Sequence, residues 1–131
     1  MREAGLGSAP VSVDPRTRAM AGVALVVAAA ATAAPVRLLA AFGVAPADVT
    51  GAAAFGWRLF AMRNVWIAVQ ALRGDPSAEA AFLPVQVLDQ AVFWHAYATR
   101  SVPRRASVLA ATASGVIVAL DLARRRSLPR W

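Results

Sequence analysis

From Ala19 to Val36 the chain carries no charge for 18 consecutive residues, nearly all of them apolar or small. At 1.5 Å of rise per helical residue, the run approaches the roughly 20 residues that cross about 30 Å of hydrocarbon. Asp14-Pro15 sets the start of this helix, because Asp caps an N-terminus and Pro is tolerated at the first helical position. Pro35 ends or kinks it. A cleaved signal peptide is the rival reading, but the run is long for an h-region and a second apolar segment follows closely. The segment therefore reads as an uncleaved span.

The totals agree with a membrane solvent. Hydrophobic residues make up 59% of the 131 and charged ones 16%, where soluble domains run near 45–50% and about 25%. The length allows one domain. All 14 basic residues are Arg, against seven acids, for a net charge of +7. Such a balance first suggests nucleic acid. The arginines, however, gather at the ends of apolar segments and form no basic stripe interleaved with aromatics, so no nucleic-acid partner is expected. The absence of Cys excludes a disulfide framework, thiolate metal sites and iron–sulfur clusters, and a single His excludes bis-His haem and multi-His zinc. No metal and no cofactor is expected.

Three further segments follow the first. Val36, Leu38, Leu39 and Phe42, beside Arg37, form a short interfacial helix closed by Gly43 and the turn around Pro46. The second long segment is broken by Arg58, Arg63 and Asn64. The third starts after Gly74-Asp75-Pro76, holds Gln86, Asp89, Gln90 and His95, and is expected to kink at Pro84. The fourth is uncharged over 106–120 and ends at Asp121 and Arg124-Arg125-Arg126. Only the first passes as a span alone, since a central Arg or Asp costs about 2.5–3.5 kcal/mol to insert. A soluble Ala-rich bundle would need polar outer faces, which the first and fourth segments lack. The expected fold is all-α, a four-helix transmembrane bundle with a short interfacial helix after helix one. Its helices lie near 19–41, 52–72, 78–98 and 104–124, within a membrane domain at 15–126. A flexible cytoplasmic N-terminus (1–14) precedes it and a short tail (127–131) follows.

Four spans place both termini on one side. That side carries Arg2, Arg16, Arg18, Arg73, Arg124, Arg125, Arg126 and Arg130, against Arg37, Arg100, Arg104 and Arg105 opposite. The positive-inside rule then puts both termini in the cytoplasm of a cell-membrane protein. Trp57 and Trp94 fall near the outer ends of their helices, where an aromatic belt is expected.

The short turn at residues 73–77 makes the second and third helices antiparallel, so that residues at one depth have numbers summing to about 151. Arg63 then lies level with Asp89, and a bidentate ion pair between them is expected. Gln86, Asp89, Gln90, Phe93 and Tyr97 form a polar-aromatic stripe, and Gln70 shares a face with Arg63. One interior could therefore collect Arg63, Gln70, Gln86, Asp89, Gln90 and Tyr97. Asp121 with Arg124 and Arg125 reads as an interfacial ion pair at i+3 and i+4. Ser107, Ala111 and Gly115 have the small-xxx-small spacing that lets helices approach closely.

Arg58-Leu-Phe-Ala-Met-Arg63-Asn64, followed by Asp89, Pro103-Arg104-Arg105 and Asp121, resembles a known pattern. It is similar to the small uncharacterised four-helix membrane proteins of actinobacteria, loosely DoxX-like, over residues 19–126. In those, helix two reads Arg-x-x-Gly-x-Arg-(Asp/Asn); here Ala61 or Met62 stands where Gly is usual, and the two arginines are five apart. The resemblance implies a four-helix bundle, supplies no established reaction, and makes Arg58, Arg63, Asn64, Asp89 and Asp121 the residues carried over.

Familiar four-helix activities fail on inventory. A small multidrug antiporter needs an acid in helix one, a disulfide oxidoreductase needs Cys pairs, and a cytochrome anchor needs His ligands. Two readings remain. One is a non-catalytic scaffold or accessory subunit, in a homo-oligomer or a larger membrane complex, whose buried polar pair specifies assembly. The other is a small carrier, binder or enzyme for an amphipathic or anionic molecule. It would bind through Arg58, Arg63, Asn64, Gln86, Asp89, Gln90 and Tyr97, with Arg63 as anion clamp. A large cavity lined by Gln86, Asp89, Gln90 and Tyr97 would favour the second, and a packed pair the first. No catalytic residue is assigned.

Overall fold

The computed structural model describes residues 12–129. Most of the 1–14 tail, Arg2, Arg130 and the end of the C-terminal tail thus lie outside the described residues. Five α-helices follow in order, with no strand among the described residues: α1 (Pro15–Ala33), α2 (Pro35–Ala41), α3 (Gly51–Leu72), α4 (Pro76–Thr99) and α5 (Arg104–Arg126). A single 3₁₀ turn at Pro46–Asp48 lies between α2 and α3.

The helix boundaries follow from local chemistry. The Asp14 carboxylate accepts from the Arg16 amide at 2.7 Å, with Pro15 at the first helical position. Thr50 caps α3 by accepting from the Ala53 amide at 3.2 Å, and Asp75 caps α4 from Ser77 at 2.8 Å. Pro35 cannot donate to the preceding turn, so α1 stops and the short α2 starts on it. Gly74 takes φ +84° in the turn that reverses the chain between α3 and α4, a conformation that favours glycine. Pro84 sits within α4, which runs unbroken through it.

The four long helices form a ring in which α1 packs on α3 and α5, and α4 packs on α3 and α5. Arg16 donates to the Ser127 hydroxyl at 2.8 Å, which places the start of α1 beside the end of α5. The interior is made largely of alanine. Ala21, Ala24, Ala68 and Ala71 surround Met20, Ile67, Phe82 and Ile117, while Ala28, Ala31 and Ala61 form a second cluster under Leu38, Trp57 and Val65. Small side chains let the backbones approach closely. Of the small-residue series on α5, Ser107 and Ala111 are buried and Gly115 is half-buried.

The short helix expected after helix one is α2, and it is docked on the bundle. Pro35 and Leu39 are buried, and the segment packs on α1 and α3.

Two helices, α1 and α5, are long and apolar enough to cross a membrane. This corrects the expectation that the first segment alone would pass: the charges of α5 all lie near its two ends, so its centre is as apolar as α1. The interruptions in α3 and α4 keep both from passing on composition, and what they do with those interruptions is the question of the site.

Candidate functional site

Arg63 and Asp89 touch. Each lies near the middle of its helix, and one guanidinium nitrogen, Nη2, donates to both carboxylate oxygens at 2.9 and 2.7 Å. Equal depth on antiparallel neighbours produces the pair, as the numbering predicts. The geometry differs from the expected fork: the carboxylate chelates one nitrogen and leaves Nη1 and Nε free of it. The guanidinium also stacks on the Phe60 ring, 4.9 Å from its centroid. The two partners sit in unlike surroundings, because the Asp89 side chain is 10% exposed and that of Arg63 is 41% exposed. The pair is therefore packed on the α3–α4 seam, with its acid inside and its base toward the outer flank.

The interior expected to collect six polar residues does not form. Gln90 turns to α5, donating to the Ala111 carbonyl at 2.7 Å and accepting from the Trp94 indole at 2.8 Å. Tyr97 stays at the far end of α4, edge-on to Trp94 and under the Arg104 guanidinium at 5.0 Å. Gln70 is half-buried, and Arg58 is exposed on α3. The polar stripe thus splits. A shared face does not imply a shared partner, because α4 has two neighbours and successive stripe residues aim at different ones.

A small interior cavity of about 40 Å³ lies at the same mid-depth. All four long helices line it, with Phe42, Trp57, Phe60 and Phe93 as aromatic walls and Asn64, Gln86 and Ser114 as polar groups. Trp57 is edge-on to Phe42 and to Phe60 with centroids 6.5 and 5.5 Å apart, so it walls the interior and is not simply a belt residue. Of the residues named for a binding site, Asn64 and Gln86 reach this cavity. Arg58, Arg63, Asp89, Gln90 and Tyr97 do not line it.

A second charged cluster ties α5 to α4 at the end where the α3–α4 turn lies. Asp121, fully buried, accepts from Arg124 Nε and Nη2 at 2.9 and 2.6 Å and from Arg125 Nε at 2.7 Å. Arg124 also pairs with Glu79 of α4, and Arg125 reaches the Ala80 carbonyl at 3.4 Å. The expected interfacial pair is therefore an interhelical network. Sequence reasoning missed Glu79, whose only signal was its place in the first turn of α4.

In the turn before α4, the Asp75 carboxyl is held below its ordinary value of 3.8, first by the hydrogen bond from the Ser77 side chain and then by that from the Ser77 amide.

Among the described residues no group of His, Cys, Asp or Glu is placed to hold a metal ion. No protein family, curated protein or solved structure matches the chain.

Proposed function

We propose that the chain is a small integral membrane protein that spans the cell membrane with four helices, both termini cytoplasmic, and acts as a non-catalytic scaffold or accessory subunit. Its outer faces support the placement. Val26 of α1, Leu59 and Trp66 of α3, Leu88 and Val92 of α4, and Val116 and Leu122 of α5 are all exposed, so each of the four long helices turns large apolar side chains outward. The ion pair supports it too, since Arg63 and Asp89 neutralise each other at the depth where each alone would oppose insertion.

The scaffold reading rests on one observation: the mid-span pair is closed within the chain and faces no cavity. An anion clamp would need Arg63 directed into a void with its carboxylate held back. Here the clamp is already occupied by Asp89. The partly exposed base on the flank instead suits contact with a second copy of the chain or with another membrane subunit.

Native mass spectrometry from lipid nanodiscs tests the function. A discrete homo-oligomer or a stoichiometric complex is expected, and a chain that emerges only as a lone monomer would sink the scaffold reading. Sidedness is tested separately by single-cysteine labelling in intact cells. Ser77 and Ser127 should label from the cytoplasm, and Thr50 and Ser101 from outside; mixed sidedness removes the four-span topology.

A further inference from the structure

The two ends of the bundle carry unlike charge. Among the described residues, the end where α1 starts and α5 stops sets Arg16, Arg18, Arg73, Arg124, Arg125 and Arg126 against Asp14, Asp75, Glu79 and Asp121. Two of those arginines, Arg124 and Arg125, are held in ion pairs. The opposite end holds Arg37 of α2, Arg100 at the end of α4, and Arg104 and Arg105 at the start of α5, with Asp48 as its acid. All four arginines are exposed, and among the described residues none of them forms an ion pair. The fold gathers this charge. Gly43, just past α2, takes φ +92° and lies against Arg105, where an added Cβ would meet Cδ at 3.4 Å.

The turn between α4 and α5 opens into a cleft of about 620 Å³, lined by Arg100, Ser101, Val102, Pro103 and Arg104. Its donors are free. The Arg104 guanidinium stacks on the Tyr97 ring, 5.0 Å from the centroid, which steadies its plane and leaves its N–H edge outward. The Ser101 hydroxyl accepts from Thr99 at 3.3 Å and keeps its own proton to donate. Apolar side chains border the cleft. Val102 within it is 38% exposed, and Val108, one turn further along the Arg104 face of α5, is 42% exposed. Trp94 and Tyr97 of α4 lie edge-on at the same end, an aromatic pair of the kind found at headgroup level.

We propose that the α4–α5 cleft binds the phosphate headgroup of an anionic phospholipid. Arg100 and Arg104 take the phosphate oxygens, which suit the guanidinium fork, and Ser101 donates to a third position. The acyl chains descend along Val102 and Val108. Charge complementarity selects the class, because four unpaired arginines share this end with one carboxylate. The apolar border selects a lipid over a free anion, since a bare phosphate would leave Val102 and Val108 uncovered. The inference rests on the membrane placement proposed above and not on the scaffold role, so the site can exist whether or not the chain assembles.

The test uses the full chain in nanodiscs of equal parts phosphatidylglycerol and phosphatidylcholine, with retained lipid counted by native mass spectrometry. Wild type should keep phosphatidylglycerol in preference to phosphatidylcholine. Arg100→Gly should lower that preference about fivefold, and adding Arg104→Gln should lower it about fivefold again, the usual worth of one arginine near an anionic surface. Arg100 takes φ +53°, a conformation that favours glycine, so Arg100→Gly relieves strain and keeps the fold while removing the charge. Arg126→Gln, an exposed charge at the other end, should leave the preference unchanged. Equal retention of the two lipids by the wild type overturns the proposal. So does an undiminished preference in Arg100→Gly, or an equal loss in Arg126→Gln, which would make the effect one of net charge alone. Displacement of the lipid by inorganic phosphate would make the cleft a free-anion site and overturns the lipid assignment. A chain that does not enter the nanodisc overturns the membrane placement and this site together, whereas one that enters and shows no preference overturns this site alone.

Discussion

The two charged clusters of this bundle use the same residue types and meet opposite fates. At the middle of α3 and α4, Asp89 is held by a single Arg63 nitrogen, and that arginine is 41% exposed. At the end of α5, Asp121 is fully buried and takes three hydrogen bonds from Arg124 and Arg125, while Arg124, 8% exposed, also binds Glu79. The end cluster is closed on all sides and joins α4 to α5. The mid-helix pair joins α3 to α4 and leaves its base partly free. A buried carboxylate is stable in proportion to how many donors reach it, and removing one partner strands the other. The clusters should therefore respond differently to the same truncation.

The largest effect is expected for Asp121→Ala. It strands Arg124 in a nearly sealed position and frees the end of α5, so the loss should reach the range of about 3–5 kcal/mol seen when a buried pair is broken. Thermal unfolding in a mild detergent measures it. An Asp121→Ala variant more stable than Asp89→Ala would reverse the comparison.

Next come the two truncations of the mid-helix pair, and they should be unequal. Arg63→Ala strands a buried carboxylate with no other donor in reach, again on the order of 3 kcal/mol. Asp89→Ala leaves an arginine already half outside, whose long stem can move its charge toward the flank, and should cost less. Replacing both by Leu should recover much of the loss. Equal losses from the two single changes would mean that exposure of Arg63 gives no relief, and a double variant as unstable as the sum of the singles would show that the pair does not couple.

Gln90 sharpens the contrast between charged and neutral polar groups. It bridges Trp94 and the Ala111 carbonyl of α5. Interhelical hydrogen bonds of this kind average about 0.6 kcal/mol in a membrane protein, so Gln90→Leu should lower stability by only a few tenths of a kcal/mol in the same unfolding assay. A loss as large as that of Arg63→Ala would make Gln90 a principal fastener of α4 on α5.

What the sequence revealed depends on how local its signals were. The Asp-Pro pairs at 14–15 and 75–76 announced the starts of α1 and α4, because a cap and a proline act on their own neighbours, whereas the Thr50 cap of α3 went unread. The Arg63–Asp89 contact was legible too, since a short turn fixes the register of two antiparallel helices. The interior was not. Asp89, Gln90 and Tyr97 share one stripe on α4, yet they meet α3, α5 and Arg104 respectively. Helical angle gives a direction but does not say which neighbour stands there. Asn64 and Gln86 were named individually, but their meeting in one chamber required knowing that α1, α3, α4 and α5 close into a ring. Glu79 was passed over because its partner, Arg124, lies 45 positions away.

The smallest effect belongs to a charge outside both clusters. Asp75 caps α4 in the turn next to the end cluster, and hydrogen bonds from the Ser77 side chain and amide hold its carboxyl below 3.8. The ionised cap is thus favoured in the folded state, so its contribution is fully present above pH 3.8 and is lost as pH falls through the lower folded value. Asp75→Asn keeps an oxygen that can accept at the N-cap and removes the titration. Stability of the wild type minus that of Asp75→Asn, followed from neutral pH downward in detergent, should stay constant until about the ordinary carboxylate range and then fall. The Asp121 cluster cancels in this difference, because it is present in both proteins. A difference that holds flat through the acid limb would show that the Ser77 contacts do not favour the charged cap, and a difference that grows on acidification would reverse the sign of the shift.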